Sequence, residues 1–329
     1  MNSIYDLGIQ VIIYLQSLGE GLVTFMKLVT FFGNEDFYIL IMPALFWCVD
    51  AGLGLRLGII LMLSNGLNFS LKLAFHGPRP PWYSPDVRAF VSETSFGAPS
   101  GHAMNAVAVW GFLIKAIQRT WVWLVFSMLI LLIGLSRPVL GIHFLFDVIT
   151  GWAFGLILLW LSLRLEVPLV RWLSNQRQST RWLVAYSAVI AFILLGVLVK
   201  ASLSGFQIPS SWIENAANAS PVSSVIDPFS LSGLMTSSGA FFGLIAGALW
   251  LHTRGGFSAA GALGKRLLRF PLGLLGIILI WYGLGAVFPR GDYLLAYTLR
   301  FSRYFLVGVW VTGLAPMVFL RLNLAQPKN

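Results

Sequence analysis

Apolar residues run along this chain in long stretches, and short connections between them hold most of its charge. The pattern predicts spans at about 37–50, 52–75, 101–117, 121–137, 144–164, 182–201, 230–252, 270–288 and 304–321. These stretches are near the roughly 20 residues that an α-helix needs to cross a bilayer core. A helix also satisfies its own backbone polar groups, which lipid cannot do. The two-residue alternation of a membrane barrel is absent. The first span is short at its core, FYILIMPALFWCV, and borrows flanking residues. Residues 1–32 differ, because Asp6, Gln10, Gln16, Glu20 and Lys27 interrupt their apolar pattern. Mixed stretches of that kind lie in the membrane interface more often than they cross it. One or two amphipathic surface helices are predicted there, with a true first span as the alternative. The expected fold class is all-α, a polytopic transmembrane helical bundle of about nine spans.

Composition agrees. Of 329 residues, 57% are hydrophobic and only 10% charged, and the mean hydropathy is +0.81. Soluble domains carry about 25% charged residues. The net charge of +10 could point to nucleic acid in a soluble protein. Here most basic residues fall in a few short connections, so membrane topology explains them and no nucleic-acid partner is expected. Cys48 stands alone in an apolar run, which leaves no partner for a disulfide and no thiolate metal site. The N-terminus lacks a basic region followed by a short apolar core, so no cleavable signal peptide is expected.

Let the face that holds Gly97-Ala-Pro-Ser-Gly-His102 be called outer. The inner connections then carry Arg56, Lys115, Arg119, Arg164, Arg171, Arg177, Arg181, Arg254, Lys265, Arg266, Arg269, Arg321 and Lys328. The outer ones carry Lys72, Arg79, Arg88, Arg137, Lys200, Arg290, Arg300 and Arg303. The positive-inside rule makes the first group cytoplasmic. The outer face is then periplasmic, extracellular or lumenal.

Three motifs meet that outer face. In Lys72-Leu-Ala-Phe-His-Gly-Pro-Arg79-Pro80, Gly77 and Pro78 break a helix and Pro80 and Pro81 hold its exit extended. Arg79 can then aim back towards Lys72; two snorkelling cations at a helix end are the bland alternative. In Pro99-Ser-Gly-His102, Ser100 is a good N-cap and a span begins at once. The unpaired amides of a first helical turn favour an anion such as phosphate, and Gly101 lets it approach closely. An ordinary N-cap beside an interfacial His is the competing reading. In Ser136-Arg137-Pro-Val-Leu-Gly-Ile-His143-Phe-Leu-Phe-Asp147, His143 and Asp147 stand four apart, on one helix face. A carboxylate there fixes the imidazole tautomer and leaves the other nitrogen free to attack. A simple helix pair is the alternative, weakened by the cost of charge in a membrane.

The combination resembles the type 2 phosphatidic acid phosphatase superfamily, which shares its site with vanadium-dependent haloperoxidases. The family pattern is Lys, six residues, Arg-Pro; then Pro-Ser-Gly-His; then Ser-Arg, five residues, His, three residues, Asp. Here it reads Lys72 to Arg79-Pro80, Pro99 to His102, and Ser136-Arg137 to His143 and Asp147. The resemblance implies a six-helix haloperoxidase-like core with additional C-terminal spans. The expected division is an interfacial segment 1–36, a catalytic transmembrane core 37–201 and a C-terminal loop with further spans 202–329. The stretch DLGIQVIIYLQ, the nine-span plan and GAPSGHAMN are similar to the glucose-6-phosphatase branch, and sphingosine-phosphate phosphatases and dolichyl diphosphatases share parts of the layout.

The resemblance also implies roles. His143 would be the nucleophile that forms a phosphohistidine, Asp147 its orienting carboxylate and His102 the general acid. Lys72, Arg79, Ser100, Gly101 and Arg137 would bind phosphate oxygens. No metal or other cofactor is expected, since the motifs hold no acidic cluster. The leading function is hydrolysis of a lipid phosphate or diphosphate at the outer leaflet. A soluble sugar phosphate is the alternative substrate, and a transporter or scramblase that binds phosphate lipid without hydrolysis is the alternative class. His76, Asp86, Arg88 and Glu93 are secondary candidates that solvated or interfacial positions explain as well. Trp82 and Tyr83 read as interface anchors.

Overall fold

A computed structural model describes residues 2–328. Among them the secondary structure is helical, with isolated bridges only at Ala89–Pro221 and Ser258–Gln326. The helices are α1 (Asn2–Ser17), α2 (Glu20–Phe31), α3 (Glu35–Cys48), α4 (Ala51–Phe75), the short α5 (Pro80–Tyr83), α6 (Gly101–Ile117) and α7 (Thr120–Val139). There follow α8 (Leu145–Ser174), α9 (Gln178–Ser202), α10 (Ser210–Asn218), α11 (Ser232–His252), α12 (Leu263–Val287), α13 (Leu294–Val309) and α14 (Ala315–Arg321). A π turn at Trp310–Leu314 makes α13 and α14 one continuous rod. Eight helical stretches are long and apolar enough to cross a membrane, and the shorter apolar α6 makes a ninth. Each overlaps one expected span. The short first span does borrow from its flank: α3 has 14 residues, and Glu20–Cys48 reads as one apolar stretch of 29.

The chain forms two compact units. The first gathers residues up to Phe37, Leu67–Leu163 and Gly196–Ser230. In it α7 lies along both α6 and α2. Ser100 caps α6, and Gln118 in the left-handed region (φ 53°) ends it. Gln16 fastens α1 to the 84–100 loop: its Nε2 donates to the Arg88 carbonyl (2.9 Å) and its Oε1 accepts from the Arg88 amide (3.2 Å). Ile9, Ile12, Val87 and Phe144 form an apolar cluster beside it. The 203–230 segment is ordered on the same loop. The Ala89 amide donates to the Ser220 carbonyl (2.8 Å), and the Asp227 amide to that of Thr94 (3.0 Å). Trp82, expected at the interface, is instead buried against Phe96 and Trp212.

The second unit comprises Tyr38–Gly66, Arg164–Leu195 and the chain from Leu231 onward. Its tightest pair is α11 with α13. Gly239 and Gly243 sit at the contact, where added Cβ atoms would strike the Phe301 and Phe305 carbonyl oxygens. Small residues four apart let membrane helices approach backbone to backbone, where lipid provides no hydrophobic drive for association. Arg269 is buried in the same unit. It donates to the carbonyls of Trp47 (2.9 Å), Ala259 (2.6 Å), Ala260 (2.7 Å) and Leu324 (2.8 and 3.0 Å).

Candidate active site

The three sequence motifs converge within the first unit, held by backbone contacts. The Gly97 amide donates to the Gly77 carbonyl (3.0 Å), which ties the loop before α6 to the exit of α4. A Cβ on Gly97 would stand 2.6 Å from the Pro78 carbonyl oxygen, so only glycine permits this approach. The Ser100 amide donates to the Asp147 carbonyl (2.8 Å), which joins the start of α6 to the first turn of α8. Motif residues up to 75 positions apart in the chain, Lys72 and Asp147, thus share one small volume.

His143 lies just ahead of α8 and is 1% exposed. Its Nδ1 is 3.1 Å from Asp147 Oδ2, which also accepts from the Phe144 amide at 3.0 Å. Its Nε2 is 3.2 Å from Arg79 Nη1. A guanidinium only donates, so Nε2 offers its lone pair and the ring proton sits on Nδ1, towards the carboxylate. Burial, and then the charges of Arg79, Lys72 and Arg137, hold the His143 pKa well below its ordinary value. The ring is therefore neutral at neutral pH. Asp147 Oδ1 is buried without a hydrogen-bond partner.

Two of the cations meet a carboxylate, Glu93, that the sequence offered only as a secondary candidate. Arg79 Nη2 lies 3.3 Å from Glu93 Oε2, and Arg137 Nη2 lies 3.3 Å from Glu93 Oε1. Both guanidiniums are almost wholly buried, whereas Glu93 is 28% exposed. Ser95 completes the cluster: its hydroxyl accepts from Lys72 Nζ (2.9 Å) and Arg79 Nη2 (3.0 Å), and its carbonyl from Arg79 Nε (2.6 Å). Lys72 donates also to the Phe96 carbonyl (3.0 Å). Burial would raise the Glu93 pKa, but Arg79, Lys72 and Arg137 outweigh it and hold the carboxyl at about 2. Arg137 Nη1 donates to Thr30 Oγ1 (2.7 Å), and Arg137 Nε is buried without a partner.

His102 stands in the first turn of α6, its Nε2 2.9 Å from Asn34 Oδ1. Ser100 is fully buried, and its hydroxyl accepts from the Ala103 amide at 3.5 Å, the long limit of a cap bond. Gly101 is needed for a local reason as well: a Cβ there would stand 2.9 Å from Asn68 Oδ1. The Asn68 amide in turn donates to the Pro99 carbonyl (3.0 Å). All eight residues expected at the site are thus in one unit, around one cluster. Arg88 is not among them; it pairs with Glu20 at the surface (2.8 Å). His76 packs against Phe206. Thr30, Asn34, Asn68, Glu93 and Ser95 join the site without any signal in the motifs.

Chemically, the arrangement offers a neutral imidazole with an oriented lone pair, a second imidazole, two guanidiniums that share one loop carboxylate, and Lys72 beside them. Among the described residues there is no group of three His, Cys, Asp or Glu placed to hold a metal ion.

Comparison with known proteins agrees with the motif reading. The PAP2 superfamily profile matches residues 53–171. A second profile, PAP2 superfamily phosphatase, transmembrane extension, matches residues 235–327. Phosphatidylglycerophosphatase B of Bacillus subtilis is 38% identical over 86 residues, 23% of this chain and 42% of that protein. Glucose-6-phosphatase 3 of Rattus norvegicus is 28% identical over 278 residues, 77% of each chain. A crystal structure of a transmembrane PAP2 type phosphatidylglycerolphosphate phosphatase from Bacillus subtilis covers 51% of this chain and 88% of its own, at 28% identity and TM-score 0.43. The match to the first of these relatives thus spans less than half of that protein's length. This membrane-spanning chain thus carries a PAP2 superfamily domain over its motif-bearing helices and the superfamily's transmembrane extension over its last spans.

Proposed function

We propose that this chain hydrolyses a lipid-borne phosphate or diphosphate at the extracytoplasmic face, through a phosphohistidine on His143. The observation that carries this reading is the His143 ring itself. Asp147 holds its Nδ1 proton, and its Nε2 lone pair points at the guanidinium that would grip the phosphate. Binding alone needs cations; it does not need an oriented nucleophile.

In the resting site Glu93 stands between Arg79 and Arg137 as an anion of the chain's own. The substrate phosphate replaces that carboxylate and takes up Lys72, Arg79 and Arg137, with Ser100 and the Gly101 amide at the α6 N-terminus. His143 Nε2 then attacks phosphorus. The N–P bond forms as the P–O bond to the leaving group breaks, and His102 gives its proton to the departing oxygen. A water molecule next attacks phosphorus while His102 accepts its proton; the N–P bond breaks and phosphate leaves. Phosphoryl transfer depends mainly on positioning and charge stabilisation. Fixed guanidiniums in a partly dry site supply both, so the reaction as proposed uses no metal.

A second substrate reading rests on a separate observation. The likeness to rat glucose-6-phosphatase 3 covers 77% of this chain, whereas the likeness to phosphatidylglycerophosphatase B is confined to 23%. A soluble sugar phosphate is therefore the alternative to a lipid. Purified protein in detergent, offered prenyl diphosphates, phosphatidate, long-chain-base phosphates and glucose 6-phosphate, decides between them by phosphate release. A tenfold or greater preference for any lipid supports the proposal. Preference for glucose 6-phosphate moves the assignment to the sugar reading. Phosphate release from none, with lipid movement across vesicles intact, makes the chain a transporter or scramblase.

A further inference from the structure

Away from the candidate site, the second unit holds a cavity of 510 Å³ lined by residues of α12, α13 and the connection between them, with Ser232 of α11. Arg290, Arg300 and Arg303 line it, with Trp281, Tyr282 and Tyr304. The span pattern puts these three arginines on the outer face, where the positive-inside rule gives no reason for them. The motif chemistry explains Lys72, Arg79 and Arg137 on that face, but leaves these three unexplained.

Neutral groups meet two of these side chains. Arg300 Nε donates to Thr236 Oγ1 (2.8 Å), and Arg303 Nε is buried with no partner. Both guanidiniums approach the Tyr304 ring, at 5.8 and 4.9 Å from its centre. Trp281 Nε1 donates to the Tyr304 hydroxyl (3.1 Å) and fixes that ring. A Cβ on Gly285 would stand 2.6 Å from Arg303 Nη1, so the glycine keeps room for the guanidinium against α12. Asp292, the acid of the connection, accepts from the Tyr297 hydroxyl (2.7 Å). Snorkelling explains one arginine at a helix end. It does not explain three that converge on one cavity, where like charges repel in a medium of reduced dielectric. A guanidinium fork matches phosphate oxygens in pairs.

We infer that this cavity binds a phosphate-bearing anion, either the headgroup of an anionic phospholipid or free phosphate. Val287 and Leu294, which flank the lining residues in sequence, are exposed and offer apolar surface to the chains of a lipid ligand. The inference stands apart from the proposed hydrolysis, because no residue of the motifs takes part.

The test uses the full chain in nanodiscs and reads the thermal unfolding midpoint. One arm compares phosphatidylcholine alone with phosphatidylcholine plus phosphatidylglycerol. The other adds inorganic phosphate to the phosphatidylcholine discs. The wild type is expected to gain a few degrees (about 2–4 °C) in at least one arm, as a ligand of the folded state stabilises by mass action. Arg303→Gln is expected to lose at least half of that gain. Lys200→Gln, which removes one outer charge elsewhere, is expected to keep it. A gain confined to the phosphatidylglycerol arm identifies a lipid headgroup, and one confined to the phosphate arm identifies the free anion. Phosphate bound at the candidate active site raises wild type and Arg303→Gln alike, so only the difference between them counts. If Arg303→Gln does not fold, Arg290→Gln on the exposed connection takes its place. No gain in the wild type, or equal gains in wild type and cavity variant, overturns the inference.

Discussion

Arg269 in the second unit and Arg79 and Arg137 in the first are all buried arginines, yet they sit in opposite chemistry. Arg269 is satisfied by backbone carbonyls of Trp47, Ala259, Ala260 and Leu324. Those acceptors are neutral and cannot leave unless the fold opens. Arg79 also donates to the carbonyls of Ser95 and Ile142, but it and Arg137 share the carboxylate of Glu93, a partly exposed loop residue, and Arg79 meets the His143 lone pair. That carboxylate can be exchanged for another anion. A buried cation bound only by its own backbone is a fastener. On the proposed function, a buried cation held by an exchangeable acid is a binding group at rest.

The comparison gives tests of graded size. The largest effect is expected for His143→Ala, with phosphate release at background and thermal stability close to wild type, measured by turnover and a melting curve on the same sample. Retained turnover would remove the nucleophile from the account. Next come the two classes of arginine. Arg269→Gln is expected to cost about 3 kcal/mol of stability, because it strands several buried carbonyls, and to leave activity per folded molecule unchanged. Arg137→Gln is expected to reverse that pattern: about a 10–100-fold loss in kcat/KM, chiefly through KM, with a smaller change in melting temperature. The comparison breaks if both variants change the same quantity.

Smaller effects sharpen it. Glu93→Gln removes the resident anion and is expected to strengthen inhibition by inorganic phosphate about two- to fivefold. Its pH signature follows from linkage. The arginines depress the Glu93 pKa from 4.5 to about 2, so its ionised form is favoured by folding. The contribution is therefore complete above the ordinary carboxylate value and is lost as pH falls towards about 2. Melting curves of wild type and Glu93→Gln should differ by a constant amount at neutral pH and converge in acid. Arg88→Ala is expected to change activity less than about twofold, because Arg88 pairs with Glu20 in solvent.

Much of this was legible in the sequence because membrane physics writes long, simple signals. Nine apolar runs became nine helical stretches, and motif spacing identified eight residues that the fold brings into one unit. What was not legible depends on contacts that no local pattern encodes. Thr30 meets Arg137 across 107 positions, and Asn34 meets His102 across 68. Glu93 reads in the sequence as a secondary candidate that a solvated loop explains equally well; only the fold of the 84–100 loop brings it to Arg79 and Arg137. Trp82 carried the composition of an interface anchor and is buried, because the 203–230 segment is ordered over the neighbouring loop, with the Asn215 amide donating to the Trp82 carbonyl (3.0 Å). That segment has a polar sequence, and its backbone pairing at Ala89 and Thr94 leaves no periodic trace.

The central claim is that His143 carries the phosphoryl group during turnover. The direct measurement is a rapid quench, under conditions that preserve phosphohistidine, of the purified chain turning over a labelled substrate, followed by peptide mapping. The account predicts label on the peptide containing His143, absent from His143→Ala. Label on another residue, or turnover with no labelled protein at any quench time, would contradict it.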